Sequence, residues 1–245
     1  LRSDARLFAA GRRPLTTRAV RRALLRWYDT HKRDLPWRGT KDPYAIWVSE
    51  VMLQQTRVET VIPYYERFLS RFPTLTALAE ASEDDVLAHF SGLGYYRRAR
   101  TLHAGVREVV ERYGGQVPES RDARRALPGV GRYTAGAIGS IAFGRREAVV
   151  DGNVMRVVSR LYAIDTVLGR ATTNRALWVR AEALVEGSRP GDLNQSVMEL
   201  GARVCLPRNA DCAACPVRRW CAARRAGRVG ELPVRKPKKP PEEVR

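Results

Sequence analysis

Apolar residues along this chain recur at helical rather than strand spacing. Between residues 17 and 28, Val20, Leu24, Leu25 and Tyr28 fall on one side of an arginine-rich segment, the pattern of an amphipathic helix with a solvated basic face. Asp42-Pro43 opens a longer apolar stretch, and the spacing predicts a helix over 45–62. Further helices are predicted over 63–71, 74–80, 83–90, 96–113, 120–127, 132–143, 153–163, 173–187 and 190–202, joined by turns such as Gly114-Gly115, Pro128-Gly129 and Gly191. No segment sustains the alternation of a half-buried strand, and no repeat period is visible. The predicted fold class is all-α. Beyond Cys221 the chain becomes rich in Arg, Lys and Pro, and 227–245 reads as a linker or tail.

Charge narrows the class of partner. The chain has 245 residues, with 44 Lys and Arg against 26 Asp and Glu, a formal charge of +18. Such an excess points to a polyanion, with nucleic acid foremost. The competing reading places the excess on solvated faces and tails, such as Arg224–Arg228 and Lys236–Lys239. No apolar run approaches the roughly 18 residues of a membrane span, and no signal-like apolar core opens the chain. A cytoplasmic, nucleoid-associated and bacterial protein that makes no membrane contact is expected, acting as a monomer.

The four cysteines, Cys205, Cys212, Cys215 and Cys221, fall within seventeen residues, spaced by six, two and five. Four thiolates in one proline-interrupted loop suit a single metal centre, and either Zn²⁺ or an iron–sulfur cluster takes four sulfur ligands. Disulfides are the alternative, disfavoured by the cytosolic composition.

Upstream, Leu127-Pro128-Gly129-Val130-Gly131-Arg132 ends one helix at a proline, turns through two glycines and starts another helix at once. Free N–H groups at such a helix start can hold a phosphate, and Gly129, Val130 and Gly131 are candidate DNA-backbone contacts. Asp151 closes a short apolar segment, Ala148–Val150, at the start of the helix predicted over 153–163. It reads both as an N-cap and as a carboxylate able to stabilise a nearby cation. Glu50 projects into an apolar stripe with Ile46, Trp47, Leu53 and Val58. Burial there would raise its pKa and make it a proton donor near neutrality, unless Arg57 or another cation pairs with it.

Together with Leu35-Pro36-Trp37-Arg38, Ser49–Thr56, Gly92-Leu93-Gly94-Tyr95-Tyr96, Asp151-Gly152-Asn153-Val154 and Leu193-Asn194-Gln195, these motifs give the chain a resemblance to a known family over roughly residues 17–235. It resembles the helix-hairpin-helix DNA glycosylases, and among them the adenine glycosylases of the MutY type that act on A/G mismatches. The resemblance implies two lobes: a six-helix barrel over 30–143 carrying the hairpin, and an iron–sulfur lobe from 1–29 and 144–226. It implies a [4Fe–4S] cluster on Cys205, Cys212, Cys215 and Cys221. It also implies hydrolysis of the N-glycosidic bond of adenine mispaired with 8-oxoguanine or guanine in duplex DNA, by flipping the base into a pocket.

In that reading Glu50 protonates adenine N7 and Asp151 stabilises the oxocarbenium-like sugar, with Tyr133 and Asn153 in support. Trp37, Arg38 and Gln195 resemble adenine-pocket residues, Gln55 and Tyr95 resemble wedges into the base stack, and Arg203 and Arg208 by the cysteine loop resemble phosphate contacts. Tyr133 stands where endonuclease III-like relatives carry a Schiff-base lysine, which implies a monofunctional glycosylase without strong strand cleavage. Family members continue into a Nudix-like domain that recognises 8-oxoguanine, and Glu231–Lys236 resembles the linker to it. The chain is expected to be either a piece of such a protein or a short member with weakened preference for 8-oxoguanine. A T:G or U:G mismatch glycosylase and a non-catalytic DNA-binding module are the alternatives.

Overall fold

The computed structural model describes residues 17–236. The expected lobe assignment of 1–16 and the tail over 237–245 lie outside the described residues. Within them the chain is helical, without a strand.

The element at the centre is α2 (Pro43–Met52). Asp42 caps it, its carboxylate accepting from the Tyr44 and Ala45 N–H groups, and Pro43 fills the first turn. Every residue from Tyr44 to Met52 is buried, so this is an interior helix rather than an amphipathic one. It packs on α3 (Val58–Arg71), α6 (Arg97–Tyr113) and α8 (Arg132–Ile141). The short helices α4 (Leu75–Glu80) and α5 (Glu83–Phe90), each capped by a hydroxyl, close against α6, and α7 (Arg121–Ala126) leads into α8.

The helices predicted over 45–62 and 63–71 are divided elsewhere. The break falls at 53–57, where Gln55 adopts φ 59°, whereas Pro63 lies inside α3. Apolar periodicity reads straight through the turn because Leu53, Val58 and Val61 face the core on both sides of it. Pro63 forfeits only a bond to the carbonyl of Glu59, in the solvent-exposed first turn.

A second group of helices, α1 (Thr17–His31), α9 (Gly152–Tyr162), α10 (Ala171–Val185), α11 (Pro190–Arg203) and α12 (Ala222–Arg225), packs among itself, and α11 also meets α8. The 145–150 segment crosses between the groups against α8. A Cβ at Gly136 would lie 2.4 Å from the Ala148 carbonyl oxygen, so only glycine allows this approach. Beyond α12 the chain stays packed on this group: Leu232 is buried, its carbonyl accepts from Arg160 Nε at 2.8 Å, and Leu168 N–H bonds the Val234 carbonyl.

Candidate active site

Where the two helix groups meet lies a cleft of about 840 Å³. Glu50 reaches it from the last turn of α2 and is only 5 % exposed. No cation pairs with it among the described residues, Arg57 included. Its one hydrogen bond comes from Tyr133, whose Oη donates to Oε2 at 2.6 Å. Burial pushes the Glu50 carboxyl up to about 7, the Tyr133 bond opposing and the nearby Asp151 charge reinforcing the rise. The same burial, with Glu50 and Asp151 beside it, lifts the Tyr133 hydroxyl well above the phenol range. Tyr133 therefore stays a donor, and Glu50 exchanges its proton near neutral pH.

Asp151 faces the same cleft as the N-cap of α9. Its Oδ1 accepts from Val154 N–H at 2.7 Å and its Oδ2 from Asn153 Nδ2 at 3.0 Å, so both oxygens serve as acceptors. The segment that delivers it is fixed by buried Asn194 of α11. Asn194 Oδ1 accepts from Val149 N–H, while its Nδ2 donates to the Glu147 carbonyl and Ser140 Oγ, all within 2.8–3.1 Å. Asn153 is itself held by Arg156, which donates to Asn153 Oδ1, the Gly201 carbonyl and the Cys205 carbonyl at 2.8 Å each.

Two carboxyl groups of unlike environment thus face one space: a dry acid and a hydrogen-bonded acceptor. Such a pair can deliver a proton to a leaving group while stabilising positive charge on the carbon left behind.

The hairpin borders this cleft through Gly129 and Gly131. Gly129 has φ 73°, and a Cβ there would come within 2.8 Å of Thr101. Val130 points inward and is buried, so it can contribute only backbone to the surface. No side chain caps α8, leaving its first N–H groups free.

Trp37 and Gln195 are buried cleft walls, Trp37 edge-on to Tyr65 with centroids 5.4 Å apart. Arg38 also lines the cleft, but its guanidinium is committed: it donates to Glu199 Oε2 at 2.7 Å and to the Arg33 carbonyl. Glu199, almost fully buried, receives a forked pair from Arg33 as well. Burial would push this carboxyl up, but the bonds from Arg33 and Arg38 outweigh it and hold it at about 2. Glu199 was not among the expected site residues, although it lies four positions after Gln195, on the same helical face. Arg33 and Met198 are further cleft residues without a sequence signal.

Gln55 is exposed at the cleft edge. Tyr95, 62 % exposed with φ 50°, stands outside the cleft lining, as do Arg208 and the cysteines. Arg208 is exposed on the cysteine loop, and Arg203 donates to the His31 carbonyl.

The four cysteines are half-buried. Burial is the largest influence on Cys215 and raises its thiol to about 12, with the other three sulfurs adding to it. Arg160 Nη1 lies 3.3 Å from Cys205 Sγ and also binds the Leu206 carbonyl, while Cys221 Sγ donates to the Arg160 carbonyl. Among the described residues no three His, Cys, Asp or Glu side chains converge tightly enough for a single metal ion.

Comparison with known proteins agrees with this architecture. The family model described as HhH-GPD superfamily base excision DNA repair protein matches residues 48–183. Adenine DNA glycosylases of Rattus norvegicus and Homo sapiens are each 51 % identical to the chain, over 88 % and 84 % of it, but over only 44 % and 39 % of their own lengths. The chain thus spans less than half of these relatives. Among solved structures, a thermostable thymine-DNA glycosylase is similar with a TM-score of 0.77 and 32 % identity, covering 86 % of this chain and 97 % of that one. A non-covalent endonuclease III–DNA complex shares the fold with a TM-score of 0.68 and 22 % identity, over 87 % of this chain and 98 % of that one. With the hairpin at residues 127–131 and Asp151 both inside the matched segment, the chain belongs to the HhH-GPD superfamily of base excision DNA repair proteins.

Proposed function

We propose that the chain is a monofunctional DNA glycosylase that hydrolyses the N-glycosidic bond of adenine mispaired with 8-oxoguanine or guanine in duplex DNA. The observation that carries this reading is the buried, Tyr133-bonded Glu50 facing Asp151 across one cleft beside the hairpin. The uncapped start of α8 and Gly129–Gly131 grip backbone phosphate, and the flipped adenine enters between Trp37 and Gln195.

Protonated Glu50 donates to adenine N7, the C1′–N9 bond breaks with its electron pair going to the base, and Asp151 offsets the positive charge developing at C1′. Water then adds to C1′, its proton returning to Glu50, to leave an abasic site. Asn153 fixes the Asp151 carboxylate, and Tyr133 orients Glu50. No lysine lines the cleft among the described residues, which supports base release without Schiff-base strand cleavage.

The cysteine loop fits an iron–sulfur group. Four half-buried sulfurs of one loop lie close enough for the other three to act on Cys215, with Arg160 donating toward Cys205, a donor set suited to a [4Fe–4S] cluster held by Cys205, Cys212, Cys215 and Cys221. Bound there, such a cluster supplies a rigid brace for the loop carrying Arg208. Iron and sulfide near four each per chain in native protein are expected; stoichiometric zinc instead would refute the assignment.

The deciding assay is single-turnover base release from duplexes with adenine opposite 8-oxoguanine, guanine or cytosine, alongside T:G and U:G. The likeness to a thymine-DNA glycosylase makes the last two substrates the second reading. Activity confined to them would overturn the adenine assignment.

A further inference from the structure

Gln55 and Tyr95 sit on separate turns, 40 positions apart in sequence, yet share two features. Both are exposed, and both hold left-handed backbone, φ 59° and 50°, without being glycine. Such conformations persist only where the surroundings enforce them.

What enforces them here is one side chain. Arg98, in the first turn of α6, sends its guanidinium between the two turns. Nη1 donates to the carbonyls of Val51 and Met52 at 3.0 Å each and to that of Gln54. Nη2 donates to Thr56 Oγ1 and to the carbonyls of Leu93 and Gly94, at 3.2 Å each. The Val51 and Met52 carbonyls belong to the last turn of α2, where Val51 accepts only from N–H groups of the turn that follows, so a cation there also meets the negative end of that helix. The faces of Phe90 and Tyr95 lie 5.3 and 5.6 Å from the guanidinium carbon. A planar fork with donors on both ends spans two turns at once, and a lysine ammonium has no such reach.

We propose that Arg98 is a positioning residue that locks the Gln55 and Tyr95 turns into one two-pronged wedge, so that both side chains enter the duplex in fixed register when the target base is extruded. This rests on the reading of Gln55 and Tyr95 as wedges. Arg98 faces neither the acid nor the nucleophilic side of the cleft, and its contribution lies in base extrusion rather than bond cleavage.

The test uses the full chain with its native metal content and a duplex carrying 2-aminopurine at the target position, whose fluorescence rises on unstacking. Arg98→Met is expected to slow extrusion and single-turnover base release from A:8-oxoguanine by about tenfold or more, the effect of losing a charged multi-bond donor. Release from adenine opposite an abasic site, where extrusion costs little, should change by less than about threefold. Arg98→Lys should recover only part of the loss. In a Gln55→Ala/Tyr95→Ala background, which should itself extrude slowly, Arg98→Met should add nothing further.

Equal losses on both duplexes, or the full Arg98→Met loss persisting in the double-alanine background, would mark Arg98 as merely structural and overturn the proposal. Should Arg98→Met not fold, Arg98→Lys carries the same comparison. If Gln55→Ala/Tyr95→Ala extrudes at the wild-type rate, the wedge reading itself has failed, an outcome distinct from wild-type extrusion by the Arg98 variants alone.

Discussion

Replacing Glu50 by glutamine should abolish base release and, at alkaline pH, make the protein more stable. Glu50 has an ordinary carboxyl value of 4.5 and is raised to about 7 in the fold, chiefly by burial. Between these values the unfolded chain has released the proton while the folded one retains it, so stability falls as pH rises through this window. The sign is that of a raised pKa: the favourable contribution is complete below 4.5 and gone above about 7. A shift of that size corresponds to about 3 kcal/mol at pH 8.

Glutamine carries no charge and can still accept the Tyr133 hydrogen bond through its carbonyl, so Glu50→Gln escapes the cost. The gap in stability between variant and wild type should therefore widen by about 3 kcal/mol from pH 5 to pH 8, a Tm difference growing by roughly 6–12 °C for a chain of this size. Thermal unfolding of both proteins in matched buffers across that range measures it. A gap that stays constant with pH would refute the reasoning, because Glu50 would then not be a strained acid whatever its effect on activity.

Other consequences are narrower. Tyr133→Phe removes the one hydrogen bond that lowers the Glu50 value, so the alkaline limb of the single-turnover pH–rate profile should move to higher pH; an unmoved or acid-shifted limb would contradict the assigned contact. Asp151→Asn should eliminate base release while leaving duplex affinity intact and stability within about 1 kcal/mol, since asparagine is an equally good N-cap; equilibrium binding and chemical denaturation report both. Asn194→Ala, which strips three hydrogen bonds from the path to Asp151, should cost about 2–4 kcal/mol in denaturant titrations and slow base release more than it weakens binding. Arg124→Met leaves Glu147, its partner at 2.6 Å, as an unpaired buried carboxylate, and should destabilise by about 3–5 kcal/mol, with Arg124→Met/Glu147→Leu recovering part of that loss.

How much of this was legible in the sequence follows from the range of each interaction. Helices whose ends carry local signals, such as Ser82 capping α5 or Gly114 ending α6 in left-handed backbone, could be read from neighbouring residues. The division of 45–71 could not, because apolar spacing continues through the 53–57 turn and what shapes that turn is Arg98, more than forty positions away. Glu50 was conspicuous as a charge in an apolar segment, but periodicity offered the wrong reason: α2 is buried all round, so no face of it is solvated. Glu199 looked ordinary on a helix with several charges. Its weight comes from Arg33 and Arg38, over 160 residues distant in sequence.

These long-range contacts also explain why the two carboxyl groups can be so unlike within one cleft. Glu50 sits at the end of an interior helix, where its carboxyl is buried with a phenol as partner while Arg98 is spent on backbone carbonyls, and its proton is therefore held to near neutrality. Asp151 sits at a helix start, where N–H groups are available by geometry, and both its oxygens are occupied as acceptors. The difference is set by where each residue sits in the fold, buried at one site and on free N–H groups of a helix start at the other, not by the side chains themselves. The helix carrying Asp151 is in turn tied, through Asn153 and Arg156, to the Cys205 carbonyl. Disorder in the cysteine loop would thus reach the reaction by freeing the Asp151 carboxylate, while leaving the proton on Glu50 undisturbed. A Cys215→Ser protein should accordingly lose rate at every pH without moving the alkaline limb of its profile, and a shifted limb would break this separation of roles.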